Sequence, residues 1–425
     1  MADKETSSLL SDTGGTSHTG NLSWLSWRVF GPGLLVCLAD TDAGCLIVAA
    51  QSGARWGYSL LLLQVILIPV LFLAQELTIR LGIYTKQGHT ACIKQHFGPF
   101  WAWFACVFLI VECIGAIISE MSGIAAVGEL WGVGRAASTF IASGTLVLIV
   151  FFCRYKQIEA IGIVLGLFEL TFVISMFCLH PSPKEVFLGS VTFYSDAEYI
   201  KLITANIGAV IMPWMIYFQQ SAVVARRLDR EEDLIQERAQ TLFGSCLTQL
   251  VMIGALVTLA AAHKKDTDLD TVEDIVNALA PALGSQVARV FVSLAFIGGS
   301  LCAAFVVSLA AAWAVSEALG KDDSCSLDRP PVEAPVFYGL FLGVIVVGII
   351  VLLTGVDIVK LNVFVELMDG LLMPLAVGFL FVLSTSDALP PEVRVTGGRK
   401  VVLGVIFGFC SLVSISSAIY GHLPA

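Results

Sequence analysis

The sequence predicts an all-α polytopic membrane protein made of two five-helix halves with discontinuous helices 1 and 6, plus an eleventh helix at the carboxy-terminal end. Three observations predict it. Of the 425 residues, 57% are hydrophobic and only 14% charged, and a mean hydropathy of +0.85 lies far outside the range of soluble globular chains, so lipid is the main solvent. Apolar runs bounded by charges or Gly/Pro clusters give about eleven segments near the roughly 20 residues that cross a bilayer. Two of those runs are interrupted at their centres, in the first helix of each half.

The elements follow in order. Residues 1–24 are rich in Ser, Thr and Gly and carry no apolar run, so they read as a disordered cytoplasmic tail, neither signal peptide nor anchor. Apolar length places the first five spans near 29–53, 56–84, 101–127, 137–153 and 157–179, within a first repeat over 25–185. The next five, near 200–224, 237–262, 287–319, 334–354 and 361–384, form a second repeat over 186–390, and the last, near 399–421, lies in 391–425. Little chain is left for a domain outside the membrane, so function is expected within it.

Lys and Arg in short loops favour the cytoplasmic side. With the amino terminus inside, 16 of the 24 Lys and Arg fall on inner segments. The amino terminus is therefore expected in the cytoplasm of a cell-membrane protein, and the carboxy terminus outside. A net charge of −10 argues against nucleic-acid or anionic-lipid partners, which require a basic patch. Part of it, Asp266, Asp268, Asp270, Glu273 and Asp274, reads as a solvated outer loop with a short surface helix, or as a field that concentrates cations. The eleven Cys are scattered with no C-x-x-C pair and read as small apolar fillers.

Irregular backbone inside a membrane is tolerated only where it is buried in protein or lines a cavity, so breaks are informative. The first span runs GPGLLVCLADTDAGCLIVAAQSGA from Gly31 to Ala54 with Asp40 and Asp42 at its centre. A carboxylate at that depth costs several kcal/mol unless it meets a cavity, a partner or an ion. The sixth span holds Pro213 at its midpoint, which removes a backbone donor and frees the carbonyl four residues earlier, that of Ala209. Interrupted segments at corresponding positions of two halves point to a midplane binding site between inverted repeats. A lone Pro more often makes a simple kink, but paired central aspartates carry a stronger signal.

These residues resemble the NRAMP family of divalent metal transporters. The family's GPG and Asp-Pro-Gly-Asn turn appear as Gly31-Pro32-Gly33 and Asp42-Ala43-Gly44-Cys45, followed by Gln51-Ser52-Gly53-Ala54 and Gly57-Tyr58. Its sixth-helix pattern appears as Gly208-Ala209-Val210-Ile211-Met212-Pro213-Trp214-Met215-Ile216-Tyr217. The resemblance implies a LeuT-type inverted repeat in which Asp42 is the metal-binding carboxylate, Ala39 and Ala209 offer carbonyls and Met212 is a thioether ligand. It also implies departures. The family's metal-binding Asn is Cys45 here, and its two helix-six histidines are Trp214 and Gln219. The basic pair it places early in the ninth span has no match around Val332–Gly343.

Those residues are associated in the family with proton movement, and His is the side chain that titrates near neutral pH without perturbation. Glu112 and Glu120 in the third span, and Glu366 and Asp369 in the tenth, remain as acids whose roles stay open between ion chemistry and structural pairing. In the tenth span Glu366, Leu367 or Met368 could face the ion. Losing Asn and His ligands while gaining Asp40 shifts the surroundings toward a hard, partly hydrated ion such as Mg²⁺, whereas Cys45 and Met212 favour a softer one. The chain is most similar to the NRAMP-related magnesium transporter subgroup. The expectation is a transporter without cofactor and not an enzyme, taking Mg²⁺ or Mn²⁺ as substrate by alternating access without proton coupling, embedded in the lipid bilayer as a monomer. The site residues would be Asp42, Ala39, Asp40, Cys45, Ala209 and Met212. The rival readings are a proton-coupled Mn²⁺/Fe²⁺ carrier, an organic-substrate transporter of the same architecture and a metal sensor that binds without transport.

Overall fold

A computed structural model describes residues 31–262, 269, 271–320, 327, 329–355 and 357–420. The tail over residues 1–24, and Asp266, Asp268 and Asp270 of the acidic loop, lie outside the described residues. Among the described residues, ten helices or helix pairs are long and apolar enough to cross a membrane, and the pair α1 (Pro32–Ala39) and α2 (Ala43–Trp56), bent by 51°, makes up to eleven. The second to fifth spans are α3 (Leu61–Thr85), α5 (Pro99–Leu130), α6 (Arg135–Phe152) and the pair α7 (Tyr155–Gly166) and α8 (Leu170–Cys178), joined by a 3-10 turn at Leu167–Glu169. The second half contains α10 (Ala197–Gly208) with α11 (Pro213–Ala225), then α12 (Glu231–Ala262), α14 (Ser285–Leu319), α15 (Pro335–Leu352) and α16 (Ile358–Thr385), followed by α17 (Gly397–Tyr420). Three shorter helices, α4 (His89–Phe97), α9 (Pro183–Ser190) and α13 (Val272–Leu283), connect spans.

Most spans start within three residues of where apolar length predicts them. The seventh differs more, because α12 begins at Glu231 with Glu232 and Asp233 in its first turn. Acidic side chains there favour a helix N-terminus, so the helix continues past the apolar run that marks the membrane.

Burial separates the interior from the lipid face. All eight residues of α1 are buried, as is α11 from Pro213 to Val223, so the two interrupted spans run through the centre of the bundle. Large apolar side chains such as Phe108, Ile141, Phe409 and Leu412 remain exposed on outer helices, the pattern expected when hydrocarbon replaces water as the outer solvent.

One charged cluster ties the bundle at its edge. The buried Glu76 of α3 accepts from Arg80 one turn along, from Arg238 of α12 and, at 2.8 Å, from Arg399 of α17. Arg80 also donates to the Val393 carbonyl at 2.7 Å. A buried carboxylate is tolerated when paired and hydrogen-bonded in this way, and it fixes the eleventh span against the second and seventh.

Candidate metal centre

The first break is capped from within. Asp42 is extended, with φ −72° and ψ −176°, and its side chain accepts from the Cys45 amide at 2.8 Å, satisfying one of the orphan amides at the start of α2. The next amide, of Ala43, turns to Glu120 on α5 at 3.3 Å. Both amides would close onto the preceding turn in a continuous helix. As a result the carbonyls of Ala39 and Thr41 receive no backbone N–H among the described residues.

The second break lies against the first. The sixth span is interrupted over Ala209–Met212, and Pro213 starts α11 at a position where its missing N–H costs nothing. The Ala209 carbonyl, to which Pro213 cannot donate, accepts from the Cys45 thiol at 3.2 Å. From α16, Glu366 completes the cluster: Asp42, Cys45 and Glu366 each offer a ligand atom, and the three atoms lie within 4.8 Å of one another, all buried. Gly44 makes this approach possible, since a Cβ there would sit 2.2 Å from Glu366 Oε1 and 3.0 Å from Ser119 Oγ.

Of the sequence-predicted site residues, Asp42, Cys45 and Ala209 are thus brought together. Met212 is buried at the N-cap of α11, and Ala39 contributes a freed carbonyl at the end of α1. Asp40 is different. It is fully buried, neither of its carboxylate oxygens has a hydrogen-bond partner, and it is not part of the Asp42, Cys45 and Glu366 group.

The other acids divide. Glu112 accepts from the Trp214 amide just after Pro213, at 3.1 Å, and faces Asp369 electrostatically. Both oxygens of Asp369 lack a partner. A further acid, Glu169, escaped the sequence reading, because a single Glu between Phe168 and Leu170 leaves the apolar run of the fifth span intact. It is fully buried in the 3-10 turn and accepts the Thr41 hydroxyl. Asp40, Asp42, Glu112, Glu120, Glu169, Glu366 and Asp369 are all buried, and among the described residues no Lys or Arg forms an ion pair with any of them. Their charge calls for cations or protons.

Where histidines were expected to be missing, Trp214 is fully buried and Gln219 accepts from Thr78 at 2.6 Å. A histidine does approach the sixth span from another element. His89, at the start of α4, pairs through Nδ1 with Gln220 at 2.7 Å and packs edge-on against Tyr217. Burial lowers it to about 4, so the ring is neutral near pH 7.

Comparison with known proteins adds to this geometry. A family model described as natural resistance-associated macrophage protein-like matches residues 33–419. The divalent metal cation transporter MntH of Staphylococcus saprophyticus is 32% identical over 232 residues, which are 52% of this chain and 51% of that protein. The chain spans about half the length of the first curated relatives it matches. The Eremococcus coleocola manganese transporter superposes with a TM-score of 0.76 at 17% identity, over 95% of this chain and 90% of that one. MhsT, solved with L-phenylalanine, superposes with a TM-score of 0.61 at 14% identity, over 92% and 98%. At such identities the likeness shows the fold, an all-α LeuT-type transporter architecture.

Proposed function

The chain belongs to the Nramp family, and from that premise we propose that it carries divalent metal ions, Mg²⁺ together with Mn²⁺, across the membrane by alternating access without proton coupling. The observation that carries the reading is the meeting of two helix breaks around Asp42 and Glu366 in the buried centre of the bundle. Asp42 and Glu366 bind the ion directly or through its waters, and the carbonyls of Ala39 and Ala209 add oxygen ligands. Cys45 and Met212 border the ion, and Asp40 adds field from behind the break.

Selectivity follows from the donor set. Two carboxylates with backbone carbonyls favour a hard ion that keeps part of its water. The Cys45 thiol keeps its proton in its bond to Ala209 and is a poor ligand in that state, since the thiolate is the metal-binding form. Among the described residues no imidazole joins the Asp42, Cys45 and Glu366 group, and imidazole is the ligand that would favour a transition metal. The absence of proton coupling is supported by Trp214 and Gln219, neither of which exchanges a proton near pH 7. A negative cell interior supplies about 2.3 kcal/mol per charge per 100 mV, doubled for a divalent ion, enough to drive uptake alone. The orientation that fits has the amino terminus in the cytoplasm, and the single chain suffices as a monomer.

A proton-coupled Mn²⁺ carrier is the second reading, favoured by the unpaired oxygens of Asp369 and Glu112 and by relatives named for manganese. Liposome flux separates the two. Excess Mg²⁺ should compete with Mn²⁺ uptake, and a lumenal pH dye should stay silent under a clamped potential. Indifference to Mg²⁺ with metal-dependent acidification would establish the second reading instead.

A further inference from the structure

The connector between the two halves has the wrong polarity for a helix in water. Helix α9 turns Gly189 and Ser190 to the protein. A Cβ at Gly189 would lie 2.8 Å from the Tyr58 Cβ, and Ser190 is buried, its hydroxyl donating to the Phe187 carbonyl at 2.8 Å. The large apolar side chains are on the outside instead. Phe187 is 69% exposed with Leu188 beside it, and just beyond the helix Val191 and Phe193 are exposed, the latter by 67%. A surface helix in water buries its large apolar side chains and shows the small and polar ones; here the order is reversed.

Its place identifies the solvent. Only Leu179–Ser182 separate α9 from the end of α8, and four residues reach at most about 14 Å, so the helix stays close to the bilayer face. It follows directly on the exposed Ile174 and Phe177 of α8, and Tyr58, on which it packs, lies just before α3, whose Val65 and Ile66 are exposed as well. Tyr194 then packs against Trp56 at the end of α2, with ring centroids 4.9 Å apart, and against Tyr199 of α10 at 5.4 Å. Trp and Tyr gathered in this way mark the headgroup level of a membrane.

We propose that α9 and the segment up to Tyr194 are an interfacial anchor whose occupant is the bilayer itself, with Phe187, Leu188, Val191 and Phe193 inserted among the acyl chains at the face where α2 and α8 end. Helices of this kind sit about 5–10 Å into the boundary between headgroups and chains. Lys184 and Glu185 are exposed and opposite in charge, so the anchor is apolar and requires no anionic headgroup. Through Tyr58, and through Tyr194 on Trp56 and Tyr199, it holds α2 and α10, the half-helices on this side of the two breaks, to the plane of the membrane.

The test is photocrosslinking of the full chain in liposomes of neutral phosphatidylcholine, with p-benzoylphenylalanine replacing Phe187 or, separately, Phe193. Both side chains are exposed, so the larger ring displaces no packing. The same probe at Phe177 of α8 sets the yield for a lipid-facing residue, and at Glu185 the yield for an exposed residue outside the anchor. Burying one Phe side chain favours the inserted arrangement by about 10- to 100-fold. Lipid adducts, read by mass spectrometry of the labelled peptide, should therefore form at 187 and 193 as readily as at 177, and about 10-fold less at 185. Absence of lipid adducts at both Phe positions overturns the proposal. So do chain-to-chain adducts in their place, which would make the surface a contact between two copies, and so does an equal yield at 185, which would mean proximity to lipid without insertion.

Discussion

At the level of single residues, the acids around the first break are not equivalent. Glu366 faces the Asp42 group and Asp40 does not. Replacing Glu366 by Gln keeps its shape and removes its charge, so apparent affinity for Mn²⁺ should fall about 10- to 100-fold. Asp40→Ala should weaken it by less and leave transport running, which concentration-dependent flux will resolve. Asp42 and Ala209 stand out in the sequence because an acid and a Pro each disturb an apolar helix in a recognisable way, whereas Cys45 follows from the resemblance of the Asp42-Ala43-Gly44-Cys45 turn to the family's. The sequence left Glu366 level with Leu367 and Met368, because helical register within an apolar span needs the neighbouring helix to fix it; here the gap over Gly44 does so. Glu169 and His89 were not legible at all, since each meets the break or the sixth span from a different element.

His89 also carries a pH signature. Its folded value of about 4 lies below the ordinary value near 6.5 for an unfolded chain, so folding favours the neutral ring. The stabilisation is complete above pH 6.5 and is lost as pH falls toward 4. At pH 5 wild type should have lost about 2 kcal/mol relative to His89→Gln, compared with the same pair at pH 8. Melting curves of both proteins at the two pH values measure this difference, and a constant gap would mean that His89 stays accessible to protons.

At the level of helices, the breaks depend on particular backbone chemistry. Pro213→Ala returns an N–H that can reach the Ala209 carbonyl, the group now taken by the Cys45 thiol. A more regular sixth helix should follow, with transport reduced several-fold and thermal stability little changed, because Pro at the first position of a helix costs almost nothing relative to Ala. Gly44→Ala acts on packing, forcing Glu366 away at a cost of about 1–3 kcal/mol and lowering metal affinity with it. The spans themselves were legible because apolar length measures the bilayer. Their ends were less so, as at α12, where Glu231, Glu232 and Asp233 extend the helix beyond the lipid. The short helices α4 and α9 left no membrane signal in the sequence, being too short to cross.

At the level of the whole molecule, the fold joins a buried centre that carries uncompensated acids to an edge where acids are paired. Glu76 holds Arg80, Arg238 and Arg399 from three spans. Glu76→Gln should destabilise the protein by about 3 kcal/mol, chiefly through Arg80, since Arg238 and Arg399 are partly solvent-screened; melting in detergent will show it. In the centre, by contrast, removing a carboxylate relieves repulsion and should stabilise the apo protein while impairing function. That opposition separates a site from a structural pair; at Asp42 the lost cap on the Cys45 amide offsets part of the gain. The decisive measurement is Mn²⁺ and Mg²⁺ uptake by purified protein in liposomes under an inside-negative potential, wild type beside Asp42→Ala. Uptake of both ions that disappears in a variant that stays folded, with a melting temperature within a few degrees of wild type, is the predicted result. Undiminished uptake in Asp42→Ala would contradict the account.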